Sequence, residues 1–373
     1  MAKNQHPMKR QQICFYSPYF PNHFGGGEKH ILDVARVVSE FADVYIAVSV
    51  TTLPKSLSLR QIKEQYQSFI GLDLQGIEFV ETPLGSSEAM IRKMLWTGQF
   101  DQLFYVTDGS VFISLAHKNH LHFQIPFTQG PTGLWQKFKT RFWQKSNTNS
   151  HFTKSVITQH WPQLDPVVLH PMVDIDVFAP TVKKKKTIVS VGRFFTQLHS
   201  KRQDVLIDIF SKLPRNIQKQ WQLQLIGSVE DEAYVKKLQK QAKGLNITFH
   251  LNATREELVR RVSEARIFWH AAGYEVDEQL HPESVEHFGV STIEAMAAGV
   301  VPVVYFAGGQ KEILGEEMTD LGWRTTQDCV KLTQKLIDDA SLLTSKKEMA
   351  VEQAARFGFS IFRRRVKALF EVP

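Results

Sequence analysis

Short apolar segments alternate with amphipathic segments along the whole chain. In the first half, six apolar segments are short and rich in β-branched and aromatic residues, so they predict buried strands. They are residues 12–18, 43–50, 77–82, 102–108, 121–127 and 166–171. After the first of them, apolar residues from Ile31 to Val38 recur at helical spacing. This alternation of strand and helix predicts a parallel sheet covered by helices.

The same pattern starts again after a linker near residue 180. The second series of apolar segments comprises residues 187–195, 221–227, 246–251, 265–272 and 301–309. Two such series predict an α/β protein of two doubly wound, Rossmann-like domains. We expect one domain at 1–175, a second at 176–355, and a C-terminal helix at 356–373 that crosses back to the first domain. Four consecutive lysines, 183–186, are interpreted as a solvated linker or the start of a strand.

The composition is that of a folded protein in a reducing compartment. The chain has 373 residues, of which 43% are hydrophobic and 22% are charged. It has only two cysteines, Cys14 and Cys329, which argues against a secreted disulfide scaffold. No apolar run approaches the about 18 residues that a transmembrane helix needs. The basic N-terminus has no apolar core of a signal peptide, so we expect a cytoplasmic protein.

The net charge of +7 is unevenly distributed. Lys and Arg outnumber Asp and Glu between residues 91 and 160, and the segment 133–145 supplies much of this excess. At helical spacing, this segment predicts an amphipathic helix. Either its apolar side chains belong to the core, or the helix lies on the surface against anionic lipid or an anionic acceptor. We expect no nucleic-acid partner, because no recognition motif accompanies the charge.

The loops that follow strands hold the candidate chemistry, because ligands of doubly wound folds bind beyond the carboxyl ends of the strands. The first such loop contains three glycines, Gly25 to Gly27, just before a predicted helix. Glycine allows a ligand to approach the backbone, and a helix start offers unpaired N–H groups to anions. The pattern is not GxGxxG, which argues against an ordinary dinucleotide fingerprint.

Two cations follow the first strand of the second domain. Arg193 comes directly after this strand, and Lys201 lies eight residues later. An arginine and a lysine at one strand–helix junction could clamp a diphosphate. The alternative is a pair of solvated surface cations.

Two glutamates belong to the region of a short predicted helix in the second domain, one before the helix and one within it. Glu286 lies in a loop, and Glu294 lies inside the small, apolar run "GVSTIEAMAAG", with Ser291 or Thr292 near the helix start and Gly299 near its end. A buried carboxylate is costly unless it is hydrogen-bonded, and the two hydroxyls of a ribose could satisfy it. Glu286 could then face another part of the same ligand. The alternative is two unrelated surface glutamates.

These segments together resemble family 4 of the glycosyltransferases, which are retaining enzymes of the GT-B fold. The resemblance covers most of the chain, and its motifs follow the order of the family. They are "GGGEKH", "NSHFTK", "VLHPMVDIDVF", "VGRFF" with Lys201, "EHFGVSTIE" with the E-x7-E spacing, and "EAMAAGVVPVV". The resemblance implies two Rossmann-like domains whose parallel sheets face a central cleft. It also implies that the first domain binds the acceptor and the second binds a nucleotide-sugar.

The resemblance assigns donor contacts to particular residues. Gly26 and Gly27 let the backbone approach the donor phosphates, and Arg193 and Lys201 bind the diphosphate. One glutamate, Glu286, contacts the transferred sugar, and the other, Glu294, holds the ribose. The backbone of the four residues after the first glutamate lines the sugar–phosphate site: His287, Phe288, Gly289 and Val290.

The implied reaction is retaining transfer from a nucleoside-diphosphate sugar to a hydroxyl of a glycan, a lipid-linked molecule or another acceptor. It needs no metal and no cofactor, and Glu286, Arg193 and Lys201 are its expected catalytic residues. Many members of the family have a histidine after the fourth strand. Here Asp108 and Ser110 stand in that place, and they are candidates for the acceptor side.

Two other functions remain open at this point. A nucleotide-sugar epimerase of the same fold would explain the parallel sheets but not the paired glutamates. A non-catalytic nucleotide-sugar-binding protein would explain the charge but not the E-x7-E spacing. Release of a nucleoside diphosphate only when an acceptor is present would separate transfer from both.

Overall fold

The computed structural model shows two compact units. The described residues are 10–22, 25–54, 56–71, 73–178, 183–196 and 200–371. The start of the basic N-terminus, part of the linker near residue 180 and part of the loop before Lys201 lie outside them. The first unit reaches to Asn149 and also contains 153–169 and the residues from Phe362 onward. The second unit consists of 150–152 and 170–361.

The first unit is built on a sheet of seven parallel strands. In chain order these are β1 (Gln12–Tyr16), β2 (Asp43–Ser49), β3 (Ile77–Thr82), β4 (Gln102–Val106), β5 (Lys118–Phe123), β6 (Lys145–Thr148) and β7 (Val167–Val168). The spatial order is β3-β2-β1-β4-β5-β6-β7, so the winding reverses between β1 and β4. Loops at such a reversal are where doubly wound folds place ligands.

Five helices follow the strands of this unit along the chain. They are α1 (Gly26–Val38), α2 (Leu59–Ile70), α3 (Met90–Thr97), α4 (Gly133–Thr140) and α5 (His151–His160). The predicted apolar face of α1 is confirmed, because Ile31, Val34 and Val38 are buried.

The second unit is built on a sheet of six parallel strands in the order β10-β9-β8-β11-β12-β13. The strands are β8 (Thr187–Val191), β9 (Gln222–Gly227), β10 (Ile247–Leu251), β11 (Ile267–His270), β12 (Val301–Tyr305) and β13 (Gly322–Trp323). The helices are α6 (Gln203–Lys212), α7 (Arg215–Gln220), α8 (Glu232–Gln241), α9 (Arg255–Glu264), α10 (Val290–Ala297), α11 (Gln310–Leu314), α12 (Thr326–Asp338) and α13 (Ala340–Ala355). A last helix, α14 (Phe359–Leu369), begins in this unit, and its residues from Phe362 onward belong to the first unit. The predicted fold class is therefore confirmed: the chain has two Rossmann-like α/β units with parallel sheets.

The end of α14 packs inside the first unit. The Phe370 ring, just after the helix, stacks on the ring of His120 at a centroid distance of 4.8 Å. Arg363 Nη2 lies 2.6 Å from Glu40 Oε2 on the same unit. The first unit therefore combines residues up to 169, apart from 150–152, with residues from the last helix.

The predicted helix over residues 133–145 is too long. The helix α4 ends at Thr140, and Trp143 is buried with its indole N–H donated to the Phe112 carbonyl at 3.0 Å. Lys145 begins β6, a strand that the hydrophobic pattern missed because its four residues are all polar. Its buried Asn147 is hydrogen-bonded to His122 of the neighbouring β5, so pairing of polar groups replaces apolar packing there.

Two buried histidines of β5 make the first unit sensitive to acid. Burial lowers the pKa of His120 to about 3 and that of His122 to about 4. In the unfolded chain, both rings take up a proton below about pH 6.5, whereas the folded unit keeps them neutral. The unfolded state therefore binds more protons, and stability falls as the pH drops from about 6.5 toward these lower values.

We expect each ring to cost about 2 kcal/mol of unfolding free energy between pH 6.5 and pH 5. Urea unfolding at pH 7 and pH 5 measures this loss. The variant His122→Gln should reduce the loss, whereas the matched control His117→Gln changes a side chain that is 77% exposed and should not. Equal pH dependence in all three proteins would contradict the assignment.

Candidate functional site

Three side chains of the second unit meet at the carboxyl edge of its sheet. Glu286 lies in the loop between β11 and α10, and its Oε2 accepts a hydrogen bond from Lys201 Nζ at 2.5 Å. The same oxygen lies 2.8 Å from Nε2 of His270, the last residue of β11. The carboxylate and the ammonium are both largely buried, at 14% and 16% exposure. The structure thus joins two predicted site residues and adds a histidine that sequence analysis did not select.

The charges of this cluster are fixed by its surroundings. Burial alone would raise the pKa of Glu286, but Lys201 and His270 outweigh it and hold the pKa well below its ordinary value. Burial lowers the pKa of His270, although Glu286 opposes the shift. At neutral pH Glu286 is therefore a carboxylate, and the imidazole of His270 is neutral and donates its Nε2 proton to that carboxylate.

Lys201 and Arg193 leave the same strand–helix junction. The aliphatic part of Lys201 lies against Gly192, where an added Cβ would come within 2.4 Å of Lys201 Cγ. Arg193, the next residue, forms an ion pair with Glu230 at 2.9 Å and lies over the ring of Phe195. The Arg193 side chain is 41% exposed, whereas Lys201 is mostly buried, so the two cations have different surroundings.

The turn from Glu286 to Val290 is held by close backbone contacts. The N–H of Gly309 donates to the Glu286 carbonyl at 2.8 Å, and a Cβ on Gly309 would lie 2.5 Å from Phe288 Cα. The ring of Phe288 stacks on His170, and His287 Nε2 lies 3.2 Å from the Glu283 carbonyl. This packing fixes the path of the loop between the glutamates.

The helix α10 begins at Val290, so Ser291 and Thr292 lie near its start, as expected. Gly289 is its N-cap, with a φ of +117° that favours glycine. No side chain caps this end, although the N–H of Thr292 donates to the Gly289 carbonyl at 3.0 Å. A helix start of this kind suits an anion.

Glu294 lies one turn into α10 and is only 9% exposed. Its Oε1 accepts a hydrogen bond from Arg255 Nη1 at 2.9 Å. Arg255 is the first residue of α9, and its guanidinium lies 4.9 Å from the centre of the Phe178 ring. A basic partner within the chain therefore compensates this buried carboxylate. Sequence analysis missed Arg255, because it precedes Glu294 by 39 positions and belongs to no recognisable motif.

The remaining predicted residues lie in the first unit. Gly26 and Gly27 open α1 with Gly25 as the N-cap, and Gln124 Nε2 donates to the Gly27 carbonyl at 3.0 Å. In the loop after β4, Ser110 Oγ donates to Asp108 Oδ1 at 2.6 Å. The two glycines therefore follow β1, and Asp108 and Ser110 follow β4. The winding of the sheet reverses between these two strands.

Among the described residues, His151, His170 and Glu312 are the group that could hold a metal ion. Their potential ligand atoms lie within 4.8 Å of one another. Glu312 Oε2 lies 3.0 Å from His170 Nε2 and accepts a hydrogen bond from the backbone N–H of His151, also at 3.0 Å. Hydrogen bonds within the protein thus already engage this carboxylate oxygen.

A family model and curated relatives match part of the chain. Residues 174–356 match the family described as "Glycosyl transferases group 1". A Xenopus laevis protein named "GDP-Man:Man(3)GlcNAc(2)-PP-Dol alpha-1,2-mannosyltransferase" is 27% identical over 229 residues, which cover 57% of this chain and 44% of that protein. The Mus musculus protein of the same name is 30% identical over 161 residues, or 39% of this chain and 30% of its own length. The chain spans about half the length of the curated relatives that it matches.

Solved structures match nearly the whole chain. Anabaena HepE in complex with UDP and glucose gives a TM-score of 0.68 at 16% identity, with 97% of this chain and 99% of that chain covered. A glycosyltransferase from Rickettsia africae gives 0.73 at 13% identity, with the same coverage. Identities this low establish the fold, which is GT-B. Apart from the fold, residues 174–356 are similar to the group 1 glycosyltransferases through the family match.

Proposed function

We propose that this protein is a retaining glycosyltransferase of family 4 that transfers a sugar from a nucleoside-diphosphate sugar to a hydroxyl acceptor. The main support is the cluster of Lys201, Glu286 and His270 at the carboxyl edge of the second sheet. A cation for the leaving diphosphate and an anion for the sugar meet there in one buried site. The E-x7-E spacing of Glu286 and Glu294 supports the family.

In the proposed reaction, positive charge develops on the transferred sugar and negative charge on the leaving diphosphate. Lys201, Arg193 and the N–H groups at the start of α10 stabilise the diphosphate. These groups are fixed before the reaction, so little reorganisation is needed when the bond breaks.

Glu286 acts in this proposal as a permanent anion. Its low pKa keeps it ionised at neutral pH, so it accepts hydrogen bonds from the sugar hydroxyls and does not donate a proton. It need not attack the sugar, because the leaving phosphate can take the acceptor's proton on the same face. Glu294, held by Arg255, binds the ribose hydroxyls. No step requires a metal ion.

The relatives narrow the donor and acceptor that we propose to test first. The curated relatives are named for GDP-mannose and a dolichol-linked glycan, whereas HepE was solved with UDP and glucose. We therefore propose a GDP- or UDP-sugar as donor and a glycan or lipid-linked acceptor, bound mainly by the first unit, where Asp108 and Ser110 are candidate contacts.

A thermal-shift panel of nucleoside diphosphates and their sugars tests this function. The correct nucleotide at about 100 times its Kd should stabilise the protein by about 2.7 kcal/mol. Transfer is then shown by nucleoside diphosphate that appears only when an acceptor hydroxyl is added. An epimerised nucleotide-sugar, or binding without turnover for every acceptor class, would contradict it.

The exposed face of α4 supports contact of the first unit with an anionic membrane surface. Leu134, Trp135 and Phe138 are 89%, 53% and 40% exposed, and Lys137 is exposed beside them. Apolar side chains flanked by cations are typical of helices that lie in a membrane interface. No helix in the part of the chain that the structure describes is long and apolar enough to cross a bilayer.

We expect the protein to bind vesicles that contain anionic lipid at low salt, and the triple variant Leu134→Ser, Trp135→Ser, Phe138→Ser to lose this binding. Vesicle co-sedimentation measures both. Lys145→Gln is the matched control, because Lys145 lies on β6 and pairs with Glu371 at 3.0 Å. If the wild-type protein stays in the supernatant even at low salt, where charges are least screened, the proposed membrane contact is wrong.

A further inference from the structure

A small cavity lies at the opposite edge of the second sheet from Glu286. Its volume is about 200 Å³, and its lining includes Lys184, Arg266, Thr344 and Lys347 together with apolar Val301 and Leu343. Lys184 precedes β8, Arg266 immediately precedes β11, and Val301 begins β12, so the cavity is at the amino ends of these strands. The site described above follows the carboxyl ends, and the length of a strand separates the two.

The cavity collects positive charge without a lining carboxylate. Lys184 Nζ donates to the Ala298 carbonyl at 2.6 Å, which turns one of the four consecutive lysines inward. Arg266 Nε is buried and has no hydrogen-bond partner among the described residues. The nearby carboxylate of Glu264 is engaged elsewhere, since it pairs with Lys185 at 2.7 Å.

The cations of the cavity repel one another. Burial, together with Lys347 and Arg266, lowers the pKa of Lys184 to about 7. The low pKa means that no anion within the described part of the chain compensates the charge of the Lys184 ammonium. A bound anion would favour the charged form of Lys184 and give Arg266 Nε an acceptor.

We propose that this cavity is a binding site for a small tetrahedral oxyanion of the phosphate class, separate from the donor site. Arg266 and Lys347 would neutralise the anion and donate hydrogen bonds to its oxygens. The cavity is smaller than the about 300–1,000 Å³ of pockets that hold drug-sized ligands, so a whole nucleotide-sugar does not fit. The anion is either free phosphate or the phosphoryl end of a larger molecule.

Thermal unfolding of the full chain in phosphate, compared with chloride at equal ionic strength, tests the site. We expect phosphate to raise the Tm of the wild type by a few degrees, and the double variant Lys184→Gln, Lys347→Gln to lose most of this rise. The matched control is Lys183→Gln, Lys186→Gln, which removes the same charge from exposed members of the lysine run and should keep the rise. The donor site is intact in all three proteins, so phosphate bound there cancels in the comparison.

Two outcomes would overturn the proposal. One is a wild-type Tm that phosphate and sulfate leave unchanged. The other is a rise of equal size in the double variant. Glycerol phosphate distinguishes free phosphate from the phosphoryl end of a larger molecule. If glycerol phosphate raises the Tm more than inorganic phosphate does, the ligand is a phosphomonoester. If it does not raise the Tm, the ligand is the free ion, and the site itself is retained in both cases.

Discussion

Replacing Lys201 with methionine should lower kcat about a hundredfold or more and should also destabilise the second unit. Loss of one preorganised charge-stabilising group typically costs two to three orders of magnitude in turnover. The second effect follows from the 2.5 Å contact with Glu286, because the variant leaves a buried carboxylate without its cation. Breaking a buried ion pair in this way costs about 3–5 kcal/mol. Steady-state kinetics and urea unfolding measure the two effects separately.

The double variant Lys201→Met, Glu286→Gln separates stability from catalysis. Removing both charges leaves no unpaired ion, so the stability should largely return while the activity stays low. Arg202→Met is a useful control, because Arg202 is adjacent in sequence but pairs with Asp204 instead. If Lys201→Met retained full turnover, Lys201 would have no part in the reaction, and the pair would be a structural ion pair only.

Changing each of the two glutamates to glutamine should affect different properties, ligand affinity for Glu294 and kcat for Glu286. Glu294→Gln should weaken the nucleoside diphosphate and the intact donor alike, by tenfold or more, because it removes the charged acceptor proposed for the ribose and the ion pair with Arg255. Glu286→Gln should lower kcat about a hundredfold without weakening the nucleoside diphosphate, since its proposed partner is the sugar that moves.

Calorimetric titration with the nucleoside diphosphate, beside kinetics with the best donor, distinguishes these results. Glu286→Gln also releases Lys201 from its carboxylate, so the diphosphate should bind as tightly as before or more tightly. Circular dichroism checks that both variants fold. A loss of diphosphate affinity in Glu286→Gln as large as that in Glu294→Gln would refute the division between sugar and ribose.

The sequence was sufficient for the fold because hydrophobic periodicity reports burial directly. Parallel strands buried on both faces, such as β4 and β12, appear as continuous apolar runs. The strand β6 could not be found in this way, since its stability comes from polar pairing with β5. The helix α4 was predicted too long because the apolar pattern continues into Trp143, which is buried beyond the end of the helix.

The candidate site was harder to predict from the sequence, because the residues that contact one another there are distant along the chain. Glu286 and Lys201 were chosen from their places in loops after strands, and the structure brings them together over 85 positions. His270 and Arg255 were missed. The only local signal for His270 was a polar residue at the end of an apolar strand, at the edge of the sheet where ligands bind.

The return of the chain end to the first unit has a consequence for synthesis on the ribosome. Phe370 stacks on His120, and Arg363 pairs with Glu40, yet both residues are translated only after the whole second unit. Domains generally fold as they emerge, beginning from the N-terminus. All seven strands of the first unit are translated before β8, so its sheet can form first, but the surface around His120 stays uncovered until translation reaches the end of α14.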